Sequence, residues 1–207
     1  MGTGYLTNKL VHYFPEAKIT GLDFAEGMVE EAKKNSEGFT VVQADASAVP
    51  FEDDTFDLIV SNLAYQWIAD LSRAFGEAHR VLKRQGTFYF TIFGYETLKE
   101  LFMCLRNIPS GKQFNGRRLA SADQIGQALS EKGFKEISVQ SEHIKVHFGC
   151  VTDLLKWLKG IGANRLAEDI PIGKEWLSQL ETEYAKKFSD RFGIFTTLEV
   201  IWVEGKK

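Results

Sequence analysis

Cysteine is scarce in this chain, which contains only Cys104 and Cys150. Two cysteines so far apart are too few for a disulfide scaffold and lack the close spacing of a zinc knuckle, so we expect reduced, buried thiols. Long apolar runs are also missing, because stretches such as 86–94 fall far short of the roughly 20 residues that cross a bilayer. The first residues lack the basic start, apolar middle and small-residue cleavage site of a secretory signal. These absences predict a cytoplasmic protein that does not enter a membrane.

A large excess of charge of either sign is absent as well. Lysine and arginine number 25 and aspartate and glutamate number 28, which gives a formal net charge of −3. This balance argues against a protein that binds nucleic acid through its overall charge. Hydrophobic residues make up 44% and charged residues 26% of the 207 residues, values close to those of globular proteins, and the length suffices for one domain with a true core.

Short β segments alternate with helices through the first 95 residues. The predicted strands are 18–22, 39–43, 56–60 and 86–93, and the predicted helices are 5–14, 27–35 and 71–82. This alternation is typical of a doubly wound α/β fold, a mostly parallel sheet with helices on both faces. The apolar run 56–60 predicts a strand buried on both faces. The basic residues and glycine of 83–86 predict the end of the preceding helix.

The second part of the chain alternates less regularly. Helices are predicted near 97–106, 121–132, 151–158 and 174–188, and long β segments at 135–148 and 195–203. No linker or internal repeat separates this part from the first. We therefore expect a single domain over residues 1–207.

Glycines and acids stand at the ends of the predicted strands. Gly2 and Gly4 precede the first helix, where glycines let the backbone approach a ligand and the helix N-terminus offers unpaired N–H donors. Asp23 ends the next strand, where a carboxylate can accept hydrogen bonds from both hydroxyls of a ribose. Asp45–Ala46 and 61–64 follow two further strands. Each acid alone would more often cap a turn or helix, but together they predict one crevice for an adenosine-type cofactor.

Besides an enzyme that uses an adenosine-type cofactor of another kind, these residues leave two classes of function open. A nicotinamide-dependent oxidoreductase would use similar geometry, but its Gly-x-Gly-x-x-Gly fingerprint needs a third small residue where Thr7 stands. A non-catalytic remnant would bind neither type of cofactor. Binding of NAD, of another adenosine-type cofactor, or of neither would separate these classes.

Several strings together resemble class I S-adenosylmethionine-dependent methyltransferases. They are Gly-Thr-Gly at 2–4 and the segments 21–28, 44–46 and 50–57. The resemblance implies a Rossmann-like sheet with helices on both faces and S-adenosylmethionine as the cofactor. The implied cofactor-binding roles are Gly2 and Gly4 beside the methionine moiety, Asp23 on the ribose, Phe24 and Met28 packed on the adenine, Asp45 and Ala46 at its exocyclic nitrogen, and Asn62 and Leu63 on the methyl-transfer side.

A narrower set of strings is similar to the malonyl-acyl-carrier-protein O-methyltransferases of biotin synthesis. These strings are 61–67, 80–83, 117–125 and 158–163, and the similarity runs from Gly2 nearly to the C-terminus. It implies methyl transfer to the free carboxylate of a malonyl thioester on acyl carrier protein. It places the cofactor-binding part at about 1–95 and the acceptor side and C-terminal part at about 96–207. Another small methyl acceptor, or an inactive fragment, remains the alternative.

The same resemblance implies an acceptor site. Arg118 would meet the malonyl carboxylate, a task that suits the planar fork of arginine, although a solvated loop is an equally ordinary role. Trp67 and Tyr65 would shape the acceptor pocket, with a place in the core as their alternative. An acidic carrier protein would be steered by basic residues around the pocket mouth. The candidates are Arg106, Lys112, Arg117, Arg118, Lys156, Lys159 and Arg165.

Neither a general base nor a metal is expected. The acceptor carboxylate is already ionised at neutral pH, so positioning and exclusion of water supply most of the rate. His143 and His147 have i,i+4 spacing on a predicted strand, but a third metal ligand is missing.

The resemblance also implies a strand ahead of residue 1. In methyltransferases of this kind, a hydrophobic strand at the centre of the sheet precedes the Gly-Thr-Gly string. We therefore expect the first, central strand to be missing from this chain and the chain to be a fragment of an active enzyme. The strands that end at Asp23 and Ser61 would then keep unpaired backbone groups along one edge.

Overall fold

The fold is described by a computed structural model that covers residues 1–108, 119–161 and 173–207. The first part contains α1 (Tyr5–Tyr13), β1 (Ile19–Asp23), α2 (Glu26–Lys34), β2 (Phe39–Gln43), β3 (Phe56–Asn62), a 3-10 turn (Tyr65–Trp67), α3 (Leu71–Val81) and β4 (Leu82–Phe93). The second part contains α4 (Lys99–Asn107), α5 (Ala122–Glu131), β5 (Lys135–Phe148), α6 (Val151–Gly160), α7 (Lys174–Lys187), β6 (Ser189–Asp190) and β7 (Gly193–Lys206). No described helix is both long and apolar enough to cross a membrane.

The strands form two sheets. β1 and β2 pair in parallel, and their last residues, Asp23 and Gln43, lie opposite each other. The larger sheet has the order β3-β4-β7-β5, with β6 paired antiparallel to β7. β3 and β4 are parallel, with Asn62 opposite Thr91. Helices, one parallel sheet and one mixed sheet together confirm the predicted α/β class. Within the described residues, β1 pairs with β2 alone and β3 with β4 alone.

The chain divides into two compact units. Unit 1 comprises Met1–Ile92, Ala122–Gln140 and Ile201–Lys207, and unit 2 comprises Phe93–Ser121 and Ser141–Val200. Every residue to which the sequence assigns a cofactor role belongs to unit 1.

The core of unit 1 forms where α3 packs its apolar face. Its buried residues, Ala74, Phe75, Ala78 and Val81, recur at helical spacing, and the Asp70 side chain caps its first turn by accepting a hydrogen bond from Arg73 N at 2.9 Å. Phe75 joins Phe88 and Phe90 of β4 in an aromatic cluster. This packing joins α3 to β4, in which Thr91 lies opposite Asn62 of β3.

The core of unit 2 is built from α4, α6 and α7, and it contains one of the two cysteines. Cys104 is fully buried there, and burial raises the pKa of its thiol to about 11, which keeps it protonated and unreactive. Cys150 is only partly buried, which corrects the expectation that both thiols are buried. It stands at the start of α6, where its Sγ donates to the carboxylate of Asp153 at 3.4 Å.

Two local predictions are wrong. β3 is not buried on both faces, because Leu58 is 47% exposed on a strand that has one partner. α3 ends at Val81, and residues 83–86 lie in β4. The β3–β4 register shifts between Phe56 and Leu58, so the extra residues form a bulge. A Cβ at Gly86 would lie 2.9 Å from Lys83 O, so this glycine serves the bulge and not a helix end.

Candidate functional site

The carboxylate of Asp23 lies at the end of β1 and is held by main-chain donors. Gly2 N donates to Oδ2 at 2.7 Å, and Ala25 N donates to Oδ1 at 3.0 Å. Partial burial acts to raise the pKa of Asp23, but these two donors and the amino group of Met1 outweigh it and lower the pKa below 3.8. The side chain is therefore ionised at neutral pH. Since a carboxylate offers about four acceptor positions, it retains capacity for further hydrogen bonds.

The glycine loop next to Asp23 has a backbone that favours glycine. Gly2 and Gly4 have φ of 60° and 89°, in the left-handed region. Gly4 precedes α1 as its N-cap and provides no side chain to satisfy the first N–H groups of the helix. A Cβ at this position would lie 3.3 Å from the ring of Phe39. The loop is thus bonded to Asp23 through Gly2 N, and it leads directly into the N-terminus of α1, which has no side-chain cap.

The end of β2 is joined to the end of β1. Ala44 N donates to Asp23 O at 3.0 Å, and Gln43 Nε2 donates to Phe24 O at 3.4 Å. Asp45 follows directly and turns the chain, since its Oδ1 accepts from Ser47 N at 2.7 Å. The two strand ends thus bring Asp23, Phe24 and the Asp45–Ala46 turn together.

Two apolar side chains follow Asp23 and are open to contact. Phe24 is 73% exposed, and Met28 on α2 is 45% exposed. Both side chains are therefore accessible to a planar base.

A second group of contacts lies at the ends of β3 and β4. Thr91 Oγ1 donates to Asn62 Oδ1 at 2.6 Å, and Leu63 N donates to Thr91 O at 3.0 Å. Leu63 has φ of 48°, a left-handed conformation that costs free energy in a residue other than glycine. Gln66 Nε2 donates to Leu63 O at 2.6 Å, so both main-chain polar groups of Leu63 are bonded. Sequence reasoning missed the roles of Thr91 and Gln66, although Gln66 lies inside the string 61–67.

The structure separates the two aromatic residues expected at the acceptor pocket. Tyr65 is only 7% exposed, and its ring centroid lies 5.4 Å from that of Phe88 and 5.6 Å from that of Phe75. Tyr65 therefore packs in the core, which was its alternative role, and its place at the acceptor pocket stays a prediction. Trp67 is 50% exposed and accessible to an acceptor. Arg118 lies outside the described residues.

The remaining polar candidates lie in unit 2. His143 contacts Glu96 at 2.8 Å and His147 contacts Asp190 at 2.9 Å, so each imidazole pairs with a different carboxylate. Among the basic residues considered for steering, Arg106, Lys156 and Lys159 are described. The other four, Lys112, Arg117, Arg118 and Arg165, lie outside the described residues.

Comparison with known proteins identifies the family. A methyltransferase-domain family matches residues 1–90. The malonyl-[acyl-carrier protein] O-methyltransferase of Geobacter sulfurreducens is 36% identical over all of this chain and 81% of its own length. The enzyme of that name from Methylococcus capsulatus is 32% identical over 97% of this chain and 74% of its own length.

A solved structure supports the fold. The YcgJ protein of Bacillus subtilis superposes with a TM-score of 0.70 at 20% identity, covering all of this chain and 88% of that protein. Because the two named relatives are 36% and 32% identical over most of their length, the chain belongs to the malonyl-[acyl-carrier protein] O-methyltransferase family of S-adenosylmethionine-dependent methyltransferases.

Proposed function

We propose that this protein transfers the methyl group of S-adenosylmethionine to the free carboxylate of a malonyl thioester carried on acyl carrier protein. The observation that carries the choice of acceptor is the 36% identity, over the whole chain, to a relative named for that reaction. Another small carboxylate is the alternative acceptor.

The chemistry of the strand ends fits the cofactor. Asp23 is ionised, and Gly2 N, Ala25 N and the Met1 amino group use three of its about four acceptor positions. Binding both ribose hydroxyls would therefore use the remaining position and replace one of these contacts, such as the 3.3 Å ion pair with Met1. The exposed side chains of Phe24 and Met28 would pack on the adenine, and Asp45 with Ala46 would meet its exocyclic amino group. The main chain of Gly2 and Gly4 would lie along the methionine moiety. Asn62 and Leu63 would line the side on which the methyl group is transferred.

Methyl transfer to a carboxylate needs positioning more than proton transfer. S-adenosylmethionine supplies an electrophilic methyl group whose bond to sulfur breaks as the carboxylate oxygen forms its new bond to carbon, leaving S-adenosylhomocysteine and a methyl ester. The acceptor is an anion at neutral pH, so no side chain has to remove a proton. The protein's task is to align the two reactants and exclude water. We propose Arg118 and Trp67 for holding the malonyl end.

Calorimetry tests the cofactor part of this proposal. The protein should bind S-adenosylhomocysteine and not NAD. Asp23→Asn should weaken S-adenosylhomocysteine about 10- to 100-fold, because it removes charge-assisted hydrogen bonds to the ribose. Asp57→Asn is the matched control, since Asp57 is an exposed acid paired with Lys83 at 2.9 Å. Binding of NAD, or equal affinity in the two variants, would contradict the proposal.

A methyl-transfer assay tests the acceptor. We expect malonyl carrier protein to be methylated in preference to free malonate, and Arg118→Ala to lower this activity severely while the affinity for S-adenosylhomocysteine stays unchanged. Equal turnover of free malonate and the carrier-bound group would favour the alternative acceptor.

A further inference from the structure

Arg80, in the last turn of α3, donates hydrogen bonds from every nitrogen of its guanidinium group. Nε and Nη2 donate to the two carboxylate oxygens of Glu77 at 2.8 and 2.9 Å. Nη1 donates to Phe51 O and Asp53 Oδ1, both at 2.8 Å, and Nη2 also donates to Val49 O at 3.1 Å. A guanidinium carries five N–H donors, so these five bonds use its full capacity.

Glu77 completes the contact between α3 and the loop that follows β2. Its Oε2 accepts a hydrogen bond from Val49 N at 2.9 Å, so both main-chain polar groups of Val49 are bound to α3 side chains. Hydrogen bonds from Arg80 lower the pKa of Glu77 below its ordinary 4.5, so the pair is charged at neutral pH. The loop is thereby fastened to α3 at Val49, Phe51 and Asp53. We refer to Arg80 and Glu77 as the loop clamp.

The loop clamp adjoins the turn that contains Asp45. Ala48 N donates to Asp45 O at 2.9 Å and Ser47 N donates to Asp45 Oδ1 at 2.7 Å, so residues 45–48 form a closed turn. The next residue, Val49, is held by the clamp. On its other side, the turn continues from Ala44, which is bonded to Asp23 O. The position of the Asp45 carboxylate is therefore fixed from both ends.

We propose that Arg80 and Glu77 are positioning residues that hold the Asp45–Ala46 turn in place to recognise the exocyclic amino group of adenine. This inference rests on the proposed function and deepens it. It assigns the preference for adenine over other bases partly to the contact of Arg80 and Glu77 with Val49, which does not touch the base. Adenine presents an N–H donor to the Asp45 carboxylate. Hypoxanthine presents a carbonyl oxygen there, which leaves the carboxylate facing a second acceptor. A fixed turn discriminates between the two bases, whereas a loose turn can move away from the mismatched oxygen.

The test compares the dissociation constants of S-adenosylhomocysteine and S-inosylhomocysteine, whose bases differ along that edge: the amino group on C6 is replaced by a carbonyl oxygen, and N1 changes from an acceptor to an N–H donor. The unsubstituted protein should prefer adenine by about tenfold or more. Arg80→Met removes all five hydrogen bonds while keeping an unbranched side chain, and should reduce this preference to about twofold or less. Arg80→Lys, which retains a cation near Glu77, should restore part of it. Lys83→Met is the matched control, because it removes the exposed contact to Asp57 and should leave the preference unchanged.

Glu77→Gln keeps the inference testable if Arg80→Met fails to fold. Glutamine retains the shape of the side chain but replaces one acceptor oxygen with a donor, so either Val49 N or Arg80 loses a partner. It should also lower the preference for adenine. A mere loss of stability would weaken both ligands equally and leave their ratio constant.

The outcomes separate the two proposals. An unchanged ratio in folded Arg80→Met and Glu77→Gln would overturn the inference. An unsubstituted protein that binds both ligands equally would also overturn it, while leaving the cofactor assignment intact. Absence of S-adenosylhomocysteine binding in the unsubstituted protein would refute the proposed function itself.

Discussion

At the scale of single residues, the same side chains stabilise the fold and remain able to bind a ligand. Asp23 accepts two main-chain hydrogen bonds, as an acid that only caps a turn would, and also pairs with the Met1 amino group at 3.3 Å, which leaves capacity for a further hydrogen bond. Asn62 uses Oδ1 to accept from Thr91, and its side chain is otherwise exposed. Capping and ligand binding are thus compatible roles. The capping contacts fix the geometry that binding would need.

Asp23 gives a prediction about pH. Its pKa is lower in the folded protein than the ordinary 3.8, so its contribution to stability is present above pH 3.8 and is lost as the pH falls through the folded value. In denaturant unfolding measured from neutral pH downwards, the free energy of unfolding should decrease once the pH is below 3.8. The fall should be smaller in Asp23→Asn. The same acid dependence in both proteins would mean that the Asp23 carboxylate contributes no net stability.

The glycine at the start of α1 gives a second prediction. Gly4→Ala requires alanine to adopt a left-handed backbone conformation, and it places a Cβ 3.3 Å from the Phe39 ring. We therefore expect it to lower the free energy of unfolding by about 1–2 kcal/mol. Gly27→Ala is the matched control, because Gly27 lies in α2 with no atom within 4 Å of its added Cβ. That substitution should raise stability by about 0.5–1 kcal/mol. Opposite signs in thermal unfolding support the account, and equal effects would contradict it.

At the scale of elements, the 3-10 turn after β3 sorts neighbouring aromatic residues to different environments. Tyr65 packs between α3 and β4, whereas Trp67 is half exposed two residues later. A single short turn therefore contributes the Tyr65 ring to the core and leaves the Trp67 ring accessible, a few residues after Asn62 and Leu63 in the sequence. Burial raises the pKa of Tyr65, which keeps its hydroxyl neutral.

Substitutions in this turn separate the two roles. Tyr65→Ala should cost about 3–5 kcal/mol of stability by leaving a cavity in the aromatic cluster, and Tyr65→Phe should retain most of that stability. Trp67→Ala should cost less than about 1 kcal/mol. It should raise the KM for malonyl carrier protein while the affinity for S-adenosylhomocysteine is unchanged. If Trp67→Ala leaves that KM unaltered, Trp67 has no place in the acceptor site.

The sequence predicts those helices and strands whose side-chain pattern repeats locally. The helix at 5–14, the strand at 39–43 and the strand at 135–148 match the structure because their side-chain patterns depend on near neighbours. The environment of β3 and the bulge at Gly86 depend on which strands pair, so local pattern gave wrong predictions there. The contacts of Thr91 with Asn62 and of Arg80 with Val49 join residues about 30 positions apart, and no local pattern contains them. Arg118 stays a prediction.

At the scale of the whole molecule, the residues proposed to bind the cofactor share one unit. Unit 1 begins with Met1–Ile92, and the methyltransferase-domain family matches residues 1–90. Unit 2 has its own apolar core, which includes Leu101, Leu154 and Leu180 from α4, α6 and α7. A single methyltransferase domain over residues 1–207, with its acceptor side beyond about residue 95, stays a prediction.

The central claim is that the ends of β1 and β2 bind the nucleoside of S-adenosylmethionine, and a crystal structure of the protein with S-adenosylhomocysteine tests it most directly. We predict that both ribose hydroxyls lie within about 3.2 Å of the Asp23 carboxylate, with the adenine against Phe24 and Met28 and its amino group facing Asp45. A nucleoside bound away from Asp23, or an Asp23 carboxylate that contacts only Met1, Gly2 and Ala25 in the complex, would contradict the account.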